Sequence, residues 1–182
     1  MPNHRAKTIA KYQFPIDWIP AESQAWLAVA NKVQNAKDEM KTVVLVTGVF
    51  DLLHEEHRKF LRKSRAIGNF LVVGIESDQR VRELKGPDRP VEAQAIRANN
   101  VFDTGVVDVV EILPEAFSRP EHHRSLLGLL RPHLLAVSSN SPFMEAKRQL
   151  MELFGGELRV VLEHNPNVST TKILKKRTLT KS

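Results

Sequence analysis

The chain contains no cysteine among its 182 residues. Disulfides and thiolate metal sites are therefore excluded, and we expect a cytoplasmic protein, because disulfides are typical of oxidising compartments. No apolar run approaches the roughly 18 residues of a membrane helix, and the first residues lack the apolar core of a signal peptide. The sequence also has no internal repeat and no low-complexity linker. We therefore expect a globular protein with no membrane partner.

The composition predicts one domain with a substantial core, since 42% of the residues are hydrophobic. We expect residues 1–41 to form an N-terminal arm and a helix that pack on the domain. The domain itself is predicted at 42–176, and a basic, disordered tail at 177–182. The net charge of +6 is compatible with a nucleic-acid partner but does not favour one. Much of the excess lies near the C-terminus, and positive potential also suits an enzyme that captures polyphosphates.

Apolar runs alternate with helical patterns along the chain. Strands are predicted at 43–46, 70–75, 106–112, 134–137 and 158–162, and helices at 22–40, 79–84, 91–101, 123–130, 143–154 and from 172, with a further helix ending near Gly68. This alternation predicts an α/β fold, a Rossmann-like, doubly wound and mainly five-stranded parallel sheet flanked by helices. In such sheets, ligands bind at the carboxyl ends of the strands.

The segment 43–61 carries the strongest signal for a functional site. A buried strand leads through Thr47 and Gly48 into a turn and then to His54 and His57, which share one helix face because they are three residues apart. A glycine turn followed by a helix N-terminus binds anions well, since it offers free backbone N–H groups and the positive end of the helix dipole. The pattern therefore predicts a phosphate site.

Two motifs resemble the signatures of the cytidylyltransferase-like nucleotidyltransferases. The sequence 48–57, Gly-x-Phe-Asp-Leu-Leu-His-x-x-His, is similar to their HxGH signature, and 168–173, Val-Ser-Thr-Thr-Lys-Ile, is similar to their second signature. Between them, two blocks resemble the glycero-manno-heptose 1-phosphate adenylyltransferases, including the adenylyltransferase half of bifunctional heptose enzymes. These blocks are 74–78, Gly-Ile-Glu-Ser-Asp, and 84–90, Leu-Lys-Gly-Pro-x-Arg-Pro. The resemblance covers roughly 42–175, with the motifs in the same order.

The resemblance implies transfer of a nucleotidyl group from a nucleoside triphosphate to a small phosphorylated acceptor. It implies catalytic roles for His54, His57 and Lys85, and Mg²⁺ that arrives with the triphosphate. Nucleotide binding is implied for seven further residues: Thr47, Gly48, Phe50, Asp51, Ser169, Thr170 and Thr171. Gly48 would leave space for the nucleotide, Asp51 would fix the first loop, and 169–171 would bind the β- and γ-phosphates. Together with the aromatic N-terminal arm, the resemblance also suggests a homodimer.

Ordinary structural roles remain open for several of these residues. Ser169, Thr170 and Thr171 could simply cap a helix, and Lys85 could be a plain loop lysine. His122 and His123 are interpreted as a solvated helix start, and we assign no metal site.

The chain departs from the family pattern at two places. Glu56 replaces a glycine before the second histidine, and a unit negative charge about 5 Å from a phosphate costs roughly 3 kcal/mol, or on the order of a hundredfold in affinity. That cost is smaller if Glu56 turns outward or pairs with a cation such as Arg58 or Lys59. The second departure is 137–140, Val-Ser-Ser-Asn, where the heptose branch has a Lys-Gly-Gly-Asp run.

Two main hypotheses follow. The first is an enzyme that transfers AMP, in preference to CMP, to a sugar phosphate or a similar small phosphate, with release of pyrophosphate. The alternative is a diverged, catalytically weak or inactive relative that binds a nucleotide or a protein. Glu56 and the loop at 138–140 favour the alternative, whereas the two signatures and Lys85 favour the enzyme. A nucleic-acid-binding role for the basic tail is a third and more distant hypothesis.

Overall fold

The computed structural model describes residues 24–115, 117 and 120–165. Eleven helices and strands alternate in this part of the chain: α1 Gln24–Asp38, β1 Val43–Gly48, α2 Glu55–Ala66, β2 Phe70–Ile75, α3 Asp78–Lys85, α4 Gln94–Phe102, β3 Val109–Ile112, α5 Pro120–Leu130, β4 Leu134–Ser138, α6 Met144–Leu153 and β5 Glu157–Leu162. The predicted α/β fold is confirmed. No helix in the described ranges is long and apolar enough to cross a membrane.

The five strands form one parallel sheet in the order β3-β2-β1-β4-β5. The central strand β1 pairs with β2 on one side and with β4 on the other, so that Val44 lies between Leu71 and Leu134. The unbroken apolar run in β1 reflects this position, because a strand covered on both faces has no polar side.

Helices cover both faces of the sheet and create two apolar clusters. One cluster joins the sheet to α1, α5 and α6 through residues that include Trp26, Leu127 and Met151. The other joins the sheet to α2 and α4 through residues that include Leu61 and Val101. The chain is therefore doubly wound, as predicted.

The direction of winding reverses between β1 and β4. The chain proceeds from β1 through β2 to β3 on one side, then crosses to β4 and β5 on the other. The loops after β1 and β4 consequently diverge, and the gap between them at the carboxyl edge is where sheets of this type bind ligands.

Two predicted boundaries are wrong for identifiable reasons. The third strand begins at Val109 rather than at residue 106. The reason is that Asp108 binds Leu71 through both its backbone and its side chain: its backbone N–H donates to the carbonyl oxygen of Leu71, and its carboxylate accepts the Leu71 N–H at 2.7 Å. The helix predicted from residue 91 begins at Gln94. The carbonyl oxygen of Glu92 accepts a hydrogen bond from Nε of the Arg97 side chain at 3.0 Å. The N–H groups of Val91 and Glu92 donate to a carboxylate in the β1–α2 loop, which holds these two residues outside the helix.

The interpretation of His122 and His123 as a solvated helix start is also wrong. The helix begins at Pro120, which places both residues within its first turn. His122 is 5% exposed, and the ring of His123 lies edge-on to Phe117 with 4.4 Å between centroids. The sequence pattern did not reveal this because Phe117 comes from the irregular segment before the helix.

Candidate active site

The two signature histidines lie together at the N-terminus of α2. His54 is the last residue before the helix and has an extended backbone, whereas His57 lies in the first turn. Their rings stack with 3.7 Å between centroids and 19° between planes. The spacing of three residues thus produces the shared face expected from helical geometry.

Both imidazoles lack an internal partner on one nitrogen. The Nδ1 atoms of His54 and His57 are buried and have no hydrogen bond. Burial lowers the pKa of His57 to about 3, with further contributions from the neighbouring His54 and Lys85. Burial also lowers the pKa of His54, against an opposing effect of Glu56. The pair is therefore neutral near pH 7 and retains unused hydrogen-bonding capacity, an arrangement typical of a site that binds a polar ligand.

Lys85 adds a positive charge beside the histidines. It ends α3, and its charge contributes to the lowered pKa of both His54 and His57. Much of the Lys85 side chain is exposed, yet partial burial of its ammonium, followed by repulsion from Arg89, lowers its pKa. The structure thus brings together the three residues that the resemblance marks as catalytic.

Phe50 forms a wall behind the histidines. It is 4% exposed, and its ring meets His57 edge-on at 5.4 Å between centroids. A Cβ at Gly48 would lie 2.8 Å from Cε2 of Phe50, so the glycine gives room to this ring. Thr47, at the end of β1, packs its methyl group near Gly74. Nucleotide contacts of Thr47, Gly48 and Phe50 remain predictions.

Asp51 fixes the loop that carries the histidines. Its carboxylate is 1% exposed and accepts hydrogen bonds from Arg89 and from the backbone N–H groups of Val91 and Glu92. Burial favours a raised pKa, but the bonds from Glu92, Val91 and Arg89 outweigh it and the pKa is lowered. The ionised carboxylate thus ties the β1–α2 loop to the segment between α3 and α4.

Arg97 is a site residue that sequence reasoning missed. It is fully buried and donates to the carbonyl oxygens of Val49, Glu76 and Glu92 at 2.6, 2.8 and 3.0 Å, and to Oδ1 of Asp78 at 2.7 Å. One guanidinium therefore joins the loops after β1 and β2. In the sequence, the only indication of the role of Arg97 was the position of an arginine on the apolar face of α4, which is a weak signal.

Glu56 pairs with a neighbouring cation, which is one of the two arrangements expected to reduce its repulsion of a phosphate. Its Oε1 lies 2.9 Å from Nζ of Lys59, and its side chain is 16% exposed. The charge of Glu56 still opposes the lowering of the His54 pKa, so the carboxylate remains close to the histidine pair. Pairing with Lys59 reduces its repulsion of a bound phosphate.

Lys147 places a positive charge at the loop after β4, which the sequence analysis did not predict. Lys147, in the first turn of α6, donates to Oγ of Ser141 at 2.7 Å. The loop is also tied to β5, because Ser139 N–H donates to the carbonyl oxygen of Leu162. A lysine is therefore present at this loop although the sequence at 137–140 has none.

Ser169, Thr170 and Thr171, with the helix predicted from residue 172, lie outside the described residues. Their phosphate-binding role stays a prediction, as do the N-terminal arm, the basic tail and the homodimer. Within the described residues, no group of three or more His, Asp or Glu side chains could hold a metal ion.

Sequence comparisons identify the family of the chain. The profile of the family described as cytidylyltransferase-like matches residues 45–176. The chain is 35% identical over 151 residues to the bifunctional protein HldE of Pelobacter propionicus, a match that covers 82% of this chain and 29% of that protein. It is also 35% identical over 136 residues to HldE of Campylobacter fetus, covering 75% and 28%. The chain thus spans less than a third of the length of these relatives.

Solved structures show the same fold. The lipopolysaccharide core biosynthesis protein of Thermoplasma volcanium aligns with a TM-score of 0.56 at 23% identity, over 69% of this chain and 97% of that one. Pantothenate synthetase of Thermus thermophilus aligns with a TM-score of 0.53 at 16% identity, over 76% and 64%. The predicted family is confirmed by the match over most of the chain: this protein belongs to the cytidylyltransferase-like family.

Proposed function

We propose that the protein transfers AMP from ATP to a sugar phosphate, with glycero-manno-heptose 1-phosphate as the first acceptor to test. The observation that carries the proposal is the stacked, neutral His54–His57 pair with Lys85 beside it, at the carboxyl edge near the reversal of the sheet. The resemblance of 84–90 to the heptose branch supports this acceptor, and the similarity to HldE proteins agrees with it. A cytoplasmic location is part of the same proposal.

In the proposed reaction, an oxygen of the acceptor phosphate attacks the α-phosphorus of ATP. A new phosphorus–oxygen bond forms, the bond to the β-phosphate bridge breaks, and pyrophosphate leaves with the electron pair of that bond. His54 and His57 donate hydrogen bonds to the phosphate oxygens, and Lys85 neutralises charge that builds during the transfer. Such reactions depend on positioning and charge stabilisation more than on covalent help from the protein.

Mg²⁺ enters this proposal as part of the nucleotide substrate. The ion would bridge phosphate oxygens and keep several waters, as Mg²⁺ usually does with nucleotides. The described residues offer no carboxylate cage, so the phosphates would supply most of its ligands.

The test is release of pyrophosphate from Mg²⁺ and ATP in the presence of glycero-manno-heptose 1-phosphate, with detection of the nucleotide sugar. We expect one nucleotide sugar per pyrophosphate, and a loss of about 10²–10³ in kcat for His57→Ala, as for removal of a donor to a developing anion. His164→Ala is the matched control, because His164 is exposed.

The absence of product from wild-type protein with ATP or CTP and a panel of sugar phosphates would contradict the proposal. Nucleotide binding without turnover would favour the alternative, a diverged member that acts as a nucleotide-binding module. Glu56 beside the histidine pair is the observation that favours this alternative.

A further inference from the structure

A second group of titratable side chains lies at the same edge of the sheet. Four elements supply it: Glu76 follows β2, Arg80 lies on α3, His123 on α5 and Lys147 on α6. We call Glu76, Arg80, His123 and Lys147 the edge cluster. Its members affect one another's charge states, since Arg80 and Lys147 act on both Glu76 and His123. None of the four belongs to the histidine site.

The edge cluster is incompletely paired. Oε2 of Glu76 is buried and has no hydrogen bond, and burial raises the pKa of this carboxyl to about 7 even though Arg80, Lys147 and Arg97 oppose the shift. Lys147 bonds to the neutral hydroxyl of Ser141. A buried carboxyl oxygen without a donor is costly, and folding alone gives no reason to keep it.

The cluster is joined directly to the loop of the histidine site. Glu76 N–H donates to the carbonyl oxygen of Gly48 at 2.9 Å, and Arg97 bridges the carbonyl oxygens of Val49 and Glu76. Glu76 follows β2 and Lys147 follows β4, the two strands that flank β1. The cluster therefore spans the end of β1, where the histidine loop begins.

We propose, on the basis of the proposed function, that the edge cluster binds the acceptor. The unpaired oxygen of Glu76 would accept a hydrogen bond from a hydroxyl group, while Lys147 and Arg80 would bind the acceptor phosphate. An acceptor held in this way lies beside the loop that carries His54 and His57.

This chemistry selects among phosphorylated acceptors. A polyhydroxylated sugar phosphate supplies both a hydroxyl donor for Glu76 and an anion for Lys147. Arg80 pairs with the exposed Glu83 at 3.1 Å, and the acceptor phosphate would replace this partner. A phosphate linked to a cationic alcohol, such as phosphocholine, would bring a positive charge against Arg80 and Lys147. The edge cluster therefore favours sugar phosphates and disfavours phosphocholine.

The test compares the KM for the acceptor with the KM for ATP in variants of the edge cluster. For Glu76→Gln and Lys147→Met, we expect the KM for glycero-manno-heptose 1-phosphate to rise about tenfold, the usual effect of losing one hydrogen bond to a charged group. The KM for ATP should stay within about twofold of the wild-type value. Arg148→Met, at the next and exposed position of α6, is the matched control and should leave both constants unchanged.

An equal rise in both constants, or no change in either, would overturn the inference. Thermal unfolding of each variant identifies a purely structural role, which would lower the Tm and leave the acceptor KM unchanged. Failure of the proposed function gives a different result, because the wild-type protein would then transfer no nucleotidyl group to any acceptor. Phosphocholine should also be tested as an acceptor. Its use in preference to sugar phosphates would contradict the inference.

Discussion

His57 shows how a single residue can be kept ready for a ligand at a cost in stability. Its Nδ1 is buried without a hydrogen bond, and its ring is enclosed by Phe50 and His54. Burial, His54 and Lys85 lower its pKa to about 3, with Asp51 opposing. In an unfolded chain the same imidazole titrates at its ordinary value of 6.5. Protonation at mild acid pH therefore favours the unfolded state.

This difference predicts a loss of stability as the pH falls below 6.5. The stability that depends on a neutral His57 is fully present above that value and declines as the pH approaches the folded pKa. At about pH 5 the loss is ~2 kcal/mol, from about 1.4 kcal/mol per pH unit. Urea unfolding of wild type and His57→Gln at about pH 5 and pH 8 measures it, and the variant should lose correspondingly less. The same pH dependence in both proteins would contradict the assignment.

At the scale of helices and loops, Arg97 explains why distant motifs converge. A residue of α4 bonds to the loop after β1 through Val49 and to the segment after β2 through Glu76 and Asp78. Asp51 supplies a second tie, from the histidine loop to Arg89 and the N–H groups before α4. The site therefore depends on the segment between α3 and α4 as much as on the signatures themselves.

Arg97→Lys should destabilise the protein by about 3 kcal/mol, because lysine cannot reproduce a planar set of donors and would leave buried acceptors unpaired. Arg82→Lys is the matched control at an exposed position of α3, where a change within about 0.5 kcal/mol is expected. Urea unfolding of both variants provides the measurement. Equal stability of Arg97→Lys and wild type would show that the bridge between the loops is dispensable.

At the scale of the whole molecule, apolar runs and helical spacing were sufficient to predict the sheet, its parallel strands and its two-sided covering. The meeting of His54 with His57 also followed from spacing alone. The edge cluster could not be predicted, because Glu76, His123 and Lys147 come from segments far apart in sequence and no single motif links them. The start of α4 was missed for a similar reason: Asp51, some forty residues earlier, holds the backbone N–H group of Val91 in the loop before the helix.

Ligand-linked unfolding tests the intact protein. Mg²⁺ with ATP at about a hundred times its Kd should add about 2.7 kcal/mol to the free energy of unfolding, and raise the Tm by several degrees. CTP should add less. Because Lys59 pairs with Glu56, Glu56→Gly should strengthen ATP binding by less than about tenfold.

Two outcomes of this experiment would contradict our expectations. A response to ATP that is confined to Glu56→Gly would mean that the glutamate closes the site in the natural protein. No response from either protein would mean that the histidine pair does not bind a nucleotide.

The helix α1 has a practical consequence for any attempt to excise or transplant this domain. The family profile begins at residue 45, but Trp26, Val29 and Val33 complete one apolar layer, and the Trp26 indole donates to the carbonyl oxygen of Ile112. A fragment cut at the edge of the recognisable motif would expose that layer to water and invite aggregation. The segment that the family profile matches is therefore shorter than the folded unit, and a fragment intended to fold should include α1 from Gln24.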